Sequence, residues 1–267
     1  MTDFTNINVE SRGEIEVVTM NRPKVRNALN PEIANELCTY FSELAGRQDV
    51  RVVLLTGAGG AFCAGADIGS QAFASPGPGR PQRQMAIQTS YGNIIRAMRR
   101  CPQPIIGLLD GPACGAGFSL ALACDVRIAT PKARMNAAYF KVGLTGCDMG
   151  SGYLLPRLVG LSVASELLMT GRFIAAERAV AVGLVSEISE PDNLIDTGLA
   201  LAKEMLLGSP MGLRMTKDSL NSLIDAQSLE AGLAIEDRQQ TLLMETSDFR
   251  EAVTAFQEKR APRYSDT

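Results

Sequence analysis

Short apolar runs rich in β-branched residues alternate with amphipathic stretches along the first two thirds of the chain. Ile15 to Met20, Val52 to Thr56, Ile105 to Leu109 and Val126 to Ala129 read as buried strands. Asn21-Arg22-Pro23 breaks the first. Asn30-Pro31 then supplies a helix N-cap with proline at the first helical position. Ile33, Leu37, Phe41 and Leu44 follow at helical spacing and predict an amphipathic helix over 31–46. Strand, helix, strand implies a right-handed crossover and a largely parallel sheet. A further helix runs through Ile94, Ile95 and Met98, with Arg96, Arg99 and Arg100 on a solvated face. Ser162 reads as the cap of a helix ending at Gly171, and Ala175 to Val182 as another stopped by Gly183. From about residue 192 only helical patterns remain, with Ser209-Pro210 opening one helix and Ser247-Asp248 the last. The pattern predicts an α/β core over 1–191 and a helical region over 192–267.

The stretch from Asp110 to Asp125 organises the rest. The strand Ile105–Leu109 leads into a run of small residues, and Leu120 to Ala123 continues as a buried helix. A glycine turn into a helix leaves backbone N–H groups free at the helix start, where they suit negative charge. Gly115 and Gly117 lack a Cβ, so a ligand can approach the backbone there. The same small residues can simply let the helix pack closely on a sheet. A dinucleotide loop does not fit: Gly-x-Gly-x-x-Gly from Gly57 meets Phe62, and from Gly115 it meets Leu120. Residues 70–90, with Pro76-Gly77-Pro78-Gly79-Arg80-Pro81, lack periodicity and read as a mobile loop, a candidate lid or a plain surface excursion.

Composition narrows the function. Of 267 residues, 46% are apolar, enough for a large core. The formal net charge of −3 argues against nucleic acid as a partner. No apolar run is long enough to span a bilayer, and Met1-Thr2-Asp3-Phe4 lacks signal-peptide character, so a cytoplasmic protein is expected. Six cysteines without Cys-x-x-Cys spacing read as reduced core residues. There are no histidines. That excludes Ser-His-Asp and Cys-His nucleophiles and His-ligated metal, and no metal site is expected. Proton transfer falls to Asp, Glu, Tyr, Lys, Cys or water.

Six stretches in order resemble the crotonase, or enoyl-CoA hydratase/isomerase, superfamily. They are Asn21-Arg22-Pro23-Lys24 with Asn27-Ala28-Leu29; Ala61 to Ile68; Gly115 to Ala121 followed by Cys124-Asp125; Leu155 to Gly160; Leu168 to Arg172; and Ala255 to Arg260. The resemblance implies a spiral of ββα turns with a C-terminal helical trimerisation region, and a homotrimer or a hexamer of two trimers. It implies an acyl-coenzyme A thioester substrate, with no cofactor tightly bound. The thioester oxygen would sit between the backbone N–H groups of Ala66 and Ala116, where the family's usual glycine at 116 is alanine. The backbone of Ala64 and Ile68 would contact the adenine. Lys24 and Arg26 would lie near the phosphates, and Phe256 and Lys259 would reach the coenzyme of a neighbouring subunit.

The chain also departs from the family. The two glutamates of typical hydratases fall on Ser119 and Tyr139, so a paired-carboxylate hydration cannot be written. Asp148, in Gly146-Cys147-Asp148-Met149-Gly150, matches an aspartate that resembled branches use as a proton shuttle (dienoyl-CoA isomerases) or a nucleophile (4-chlorobenzoyl-CoA dehalogenases). It is expected to be the acid/base group, against a plain role as a helix cap. Tyr139 donates a proton or lines the acyl pocket, and Ser119 positions a water or fills space. Asp67 reads as a cap and Asp125 as structural. The expected activity is enoyl- or dienoyl-CoA isomerisation or hydration in fatty-acid or related acyl-CoA catabolism. An aspartate-nucleophile hydrolase or dehalogenase and a non-catalytic acyl-CoA binder are the alternatives.

Overall fold

The computed structural model describes residues 4–69 and 79–267. Its strands are β1 (Ile7–Arg12), β2 (Ile15–Met20), β3 (Val52–Gly57), β4 (Ile105–Leu109), β5 (Pro112–Cys114), β6 (Val126–Ala129), β7 (Arg134–Asn136), β8 (Ile174–Ala175) and β9 (Glu187–Ile188). The helices are α1 (Pro31–Glu43), α2 (Arg80–Arg100), α3 (Ala116–Ala123), α4 (Ser151–Val159), α5 (Leu161–Thr170), α6 (Ala176–Ala181), α7 (Leu194–Met205), α8 (Pro210–Leu223), α9 (Leu229–Met244) and α10 (Ser247–Glu258). Among the described residues no helix is long and apolar enough to cross a membrane.

Two sheets carry the spiral. The larger has the order β1-β2-β3-β4-β6-β9 and is parallel except for the β1–β2 hairpin. The smaller has the order β5-β7-β8, and a Cys63–Ala113 bridge extends it. Each turn lays one strand in the large sheet, bends, and lays the next in the small sheet: β4 into β5 before α3, and β6 into β7. The four central strands are buried on both faces, which is why they read as unbroken apolar runs. One face packs into the main core with α1 to α5; α7 covers the other, with Leu194, Leu199 and Ala202 against Val17, Leu54 and Leu108.

The first helix forms as its sequence dictates. Asn30 Oδ1 accepts from the Ile33 amide at 3.1 Å, and Pro31 opens the helix. The last turn tightens over Leu44–Gly46. Ser209 likewise caps α8 through the Gly212 amide.

Several elements differ from the sequence reading. Helix α2 begins at Arg80, so 80–90 are not a loop; the part of the candidate lid over 70–78 lies outside the described residues. The first turns of α2 are mostly exposed, so no apolar stripe marks them. Arg99 is not simply solvated: its guanidinium donates to Asp125 at 3.0 Å and contacts Asn221. Ser162 does not cap α5. That helix starts at Leu161, directly after Gly160 with φ +77, so residue 162 is already in the first turn. Thr246, not Ser247, caps α10, accepting from the Phe249 amide, while the Asp248 carboxylate takes the Ser265 and Asp266 amides. Of the six cysteines, Cys147 is exposed and Cys38 and Cys114 are partly so.

Asp125 has the structural part expected of it. It accepts from the Ile105 amide (2.8 Å), Arg99 (3.0 Å) and the buried Lys217 (2.8 Å). Lys217 also donates to the carbonyls of Met98 and Gln103. This cluster ties α2, α3 and α8 together behind the site.

Candidate active site

The third motif folds as a turn into α3, and its glycines answer a packing demand. A Cβ on Gly117 would lie 2.2 Å from the Cys63 carbonyl oxygen, so the closest approach at Gly117 is by the chain itself and not by a ligand. Gly65 has φ +102, and a Cβ there would lie 2.8 Å from the Cys114 carbonyl and 3.6 Å from the Ala116 nitrogen. Glycine at 65 therefore lets the second motif pass over the start of α3. Residues 26–29 run beside it: the Ala64 amide donates to Arg26, Leu29 to Gly65, and Asp67 to Leu29, at 2.7 to 2.9 Å. Asp67 pairs with Arg22 at 3.3 Å and so braces this edge.

These segments enclose a cavity of about 200 Å³. Its walls include Ala64, Ala66, Ile68, Gln88, Tyr91, Ala116, Tyr139, Val142, Leu144, Asp148 and Met149. Ala116 is the first residue of α3, so helix geometry leaves its amide unused. Among the described residues neither the Ala66 nor the Ala116 N–H donates to another group. Two free donors thus border one small, mostly apolar space.

Asp148 is the only carboxylate lining that cavity among the described residues. It is half-buried, and burial pushes its carboxyl above the usual carboxylate range. Two donors oppose that shift, the Gln88 side-chain amide and the Met149 backbone. Its side chain does not cap α4, where Gly150 is the cap residue. Its backbone is fixed on both sides. Its amide donates to Ser151 Oγ at 3.0 Å, and its carbonyl accepts from Ser119 Oγ at 2.9 Å. Tyr139 donates to the same Ser151 oxygen at 2.5 Å.

The two positions that resemble hydratase glutamates therefore act differently here. Ser119 is fully buried and does not line the cavity; its hydroxyl donates to the Asp148 carbonyl at 2.9 Å, and its side chain also hydrogen-bonds Tyr139. Tyr139 lines the cavity, and burial pushes its phenol up to about 12, so it is neutral near pH 7 with its proton committed to Ser151. Tyr91 is likewise pushed up to about 12 by burial, and its hydroxyl donates to the Leu29 carbonyl at 3.0 Å.

The coenzyme-contact candidates divide. Ala64 and Ile68 line the cavity, Ile68 being 67% exposed. Lys24 and Arg26 are exposed on the adjoining turn, brought to this edge by the Ala64–Arg26 hydrogen bond. Phe256, 85% exposed, and Lys259 stand at the end of α10 and do not line the cavity of their own chain. Sequence reasoning missed Gln88, Tyr91 and Ser151. The spacing of Ile87 and Tyr91 with Ile94, Ile95 and Met98 was the signal that could have extended α2 to include Gln88.

The spiral of two sheets around this cavity is the crotonase fold, shared with solved enoyl-CoA hydratase structures. The chain belongs to the enoyl-CoA hydratase/isomerase family, whose model matches residues 10–267. It is 38% identical to a Mycobacterium leprae protein named "Probable enoyl-CoA hydratase echA12", over 93% of this chain and 86% of that one. It is 33% identical to the 1,2-epoxyphenylacetyl-CoA isomerase of Escherichia coli, over 99% of both chains. The crystal structure of an enoyl-CoA hydratase from Bacillus anthracis superposes with a TM-score of 0.92 at 30% identity, covering 98% of this chain and 100% of that one. The protein is thus an enzyme of the hydratase/isomerase type.

Proposed function

We propose that the enzyme shifts a double bond in the acyl part of a coenzyme A thioester, with Asp148 as its single acid/base group. The observation that carries this reading is the one carboxylate on the cavity wall, half-buried, with no second carboxylate beside it among the described residues. Hydration by a carboxylate pair needs one group to activate water and another to deliver a proton. Double-bond migration needs one group that takes a proton from a carbon and returns it further along. The Asp148 carboxylate removes the proton; the electron pair passes into an enolate-type anion whose charge rests on the thioester oxygen. Asp148, now the acid, returns the same proton at the far end of the conjugated system and is an ionised carboxylate again.

The Ala66 and Ala116 amides take the thioester oxygen in this reading. A donor of this kind typically contributes about 2.7–4 kcal/mol to lowering a barrier. Alanine at 116 keeps the N–H that the family's glycine would supply. The backbone of Ala64 and Ile68 takes the adenine, Lys24 and Arg26 approach the phosphates, and Phe256 and Lys259 reach the coenzyme bound to a neighbouring copy in a trimer or hexamer. The isomerase name of the Escherichia coli relative is in keeping with rearrangement, while the Mycobacterium leprae relative carries a hydratase name, so the preference rests on the lining of the cavity. The enzyme acts in fatty-acid or related acyl-CoA catabolism in the cytoplasm in this reading.

The test is turnover of β,γ-enoyl-CoA and crotonyl-CoA in deuterated water by the wild type and Asp148→Asn. Conversion of the β,γ- to the α,β-isomer, lost in Asp148→Asn, with little deuterium in the product because the same proton is returned, is the expected result. Hydration of crotonyl-CoA that survives in Asp148→Asn would overturn the reading. So would heavy solvent oxygen found in the Asp148 carboxyl after one turnover, which marks a covalent intermediate.

A further inference from the structure

We infer that Gln88 is the positioning residue of this site: its side-chain amide is a reversible partner that serves Asp148 in both of its protonation states. The inference rests on the reading of Asp148 as the acid/base group. Gln88 Nε2 donates to Asp148 Oδ1 from α2, one turn before Tyr91, whose hydroxyl anchors that helix to the Leu29 carbonyl. Gln88 lines the thioester cavity and also a neighbouring space of about 880 Å³ shared with Met85 and Arg96.

The chemistry of the amide makes it suited to a proton shuttle. A guanidinium at this place would favour the ionised carboxylate, lowering its pKa by about 1–3 units, and the acid form would be hard to reach. A second carboxylate would hold a proton in the pair instead. Glutamine carries two N–H donors and one carbonyl acceptor on one planar group. While Asp148 is ionised, the amide N–H binds it. When Asp148 has taken a proton from the substrate carbon, a half-turn of the amide presents its carbonyl to the new O–H. The proton itself stays on Asp148 until it returns to substrate, so Gln88 gains and loses nothing.

Few other groups compete for that role. Tyr91 on α2 and Tyr139 on the turn before α4 are the titratable neighbours in the cavity, and both are neutral at working pH. Ser119 from α3 and Ser151 from α4 bind the Asp148 backbone and not its carboxyl. Cys147 precedes Asp148 and is exposed. Among the described residues no cation lines the cavity.

The experiment compares wild type, Gln88→Ala and Gln88→Lys by carbon NMR titration of the Asp148 carboxyl and by the pH dependence of kcat/KM for β,γ-enoyl-CoA, with Asp148→Asn as reference. In Gln88→Ala the carboxyl titration and the rising limb of kcat/KM move together to higher pH, by about half a unit or more, the scale of one charge-assisted hydrogen bond from a partly exposed donor. In Gln88→Lys both move to lower pH while kcat falls, because the acid form has lost its acceptor. Gln88 is exposed on a helix surface, so both variants keep the fold, checked by circular dichroism. Unchanged titration and unchanged limb in Gln88→Ala would overturn the inference while an inactive Asp148→Asn leaves the acid/base reading standing. An active Asp148→Asn would instead overturn that reading, and this inference with it.

Discussion

Ser119 donates its hydroxyl proton to the backbone carbonyl of Asp148 at 2.9 Å, joining the middle of α3 to the loop that carries the cavity-lining carboxylate. The helix that offers the Ala116 amide is thereby also the helix that sets the height of Asp148.

Ser119→Ala removes that tie and leaves the Asp148 carbonyl with the Ser151 amide as its remaining donor. One lost hydrogen bond of this kind costs about 1 kcal/mol of stability, more where the acceptor finds no water. Activity falls further than stability suggests, because Asp148 shifts relative to the amides. Urea unfolding together with kcat on β,γ-enoyl-CoA measures both; a normal kcat in a destabilised variant would show that the tie is not needed for positioning.

The raised carboxyl of Asp148 predicts a stability change opposite in sign to the activity change. Its folded pKa lies above its unfolded value, so the folded state binds more protons between the two. That contribution is fully favourable below the unfolded carboxylate pKa and is lost as pH rises through the folded one. At neutral pH, Asp148→Asn is therefore more stable than the wild type, and the difference shrinks toward the acid end of the ordinary carboxylate range. Thermal unfolding of both proteins against pH tests this; a constant difference would show that burial does not strain the ionised group.

Ala116 allows the donor to be deleted without disturbing the helix. Proline is accepted at the first helical position and lacks only the N–H. Ala116→Pro should lower kcat by about 10²–10³-fold. Ala116→Gly keeps the donor and enlarges the cavity, so its kcat stays within a few-fold of wild type. Equal losses in the two variants would mean that the side chain, not the amide, matters.

Lys217 tests the support behind the site. It is 5% exposed and holds Asp125 together with two carbonyls. Breaking a buried pair on one side costs about 3–5 kcal/mol; with Asp125 partly open to solvent, the lower end applies to Lys217→Met. Denaturant unfolding of Lys217→Met, Asp125→Asn and the double variant gives the coupling, which is near zero if the pair is only incidental.

How legible the molecule was in its sequence depended on whether a residue's partners were near in the chain. Strands buried on both faces announced themselves as Ile105–Leu109 and Val52–Thr56 did, and Asn30-Pro31 marked its helix because a cap acts within one turn. Ala66 and Ala116 were singled out by the family resemblance, and what the structure adds is that neither amide has an acceptor among the described residues. Ser119 was not. Its type suggested chemistry, yet its partner is a carbonyl 29 residues away. Arg99 looked solvated by helical phase, but its acceptors sit on α8 and after α3. Gln88 was hidden in a polar stretch, since an exposed helix turn leaves no apolar rhythm to read.

Helix α2 is held unequally along its length. From Tyr91 to Met98 it is buried in the core, and at its end Arg99 is clamped by Asp125; from Arg80 to Ser90 it is largely exposed. Local opening free energies follow such differences in burial. Amide hydrogen exchange should therefore rise steeply toward the N-terminal turns, and Gln88 sits on the loosely held side of that gradient. The arm that touches Asp148 is the part of the helix with the least to lose by moving, and acyl-CoA filling the cavity would slow exchange there first.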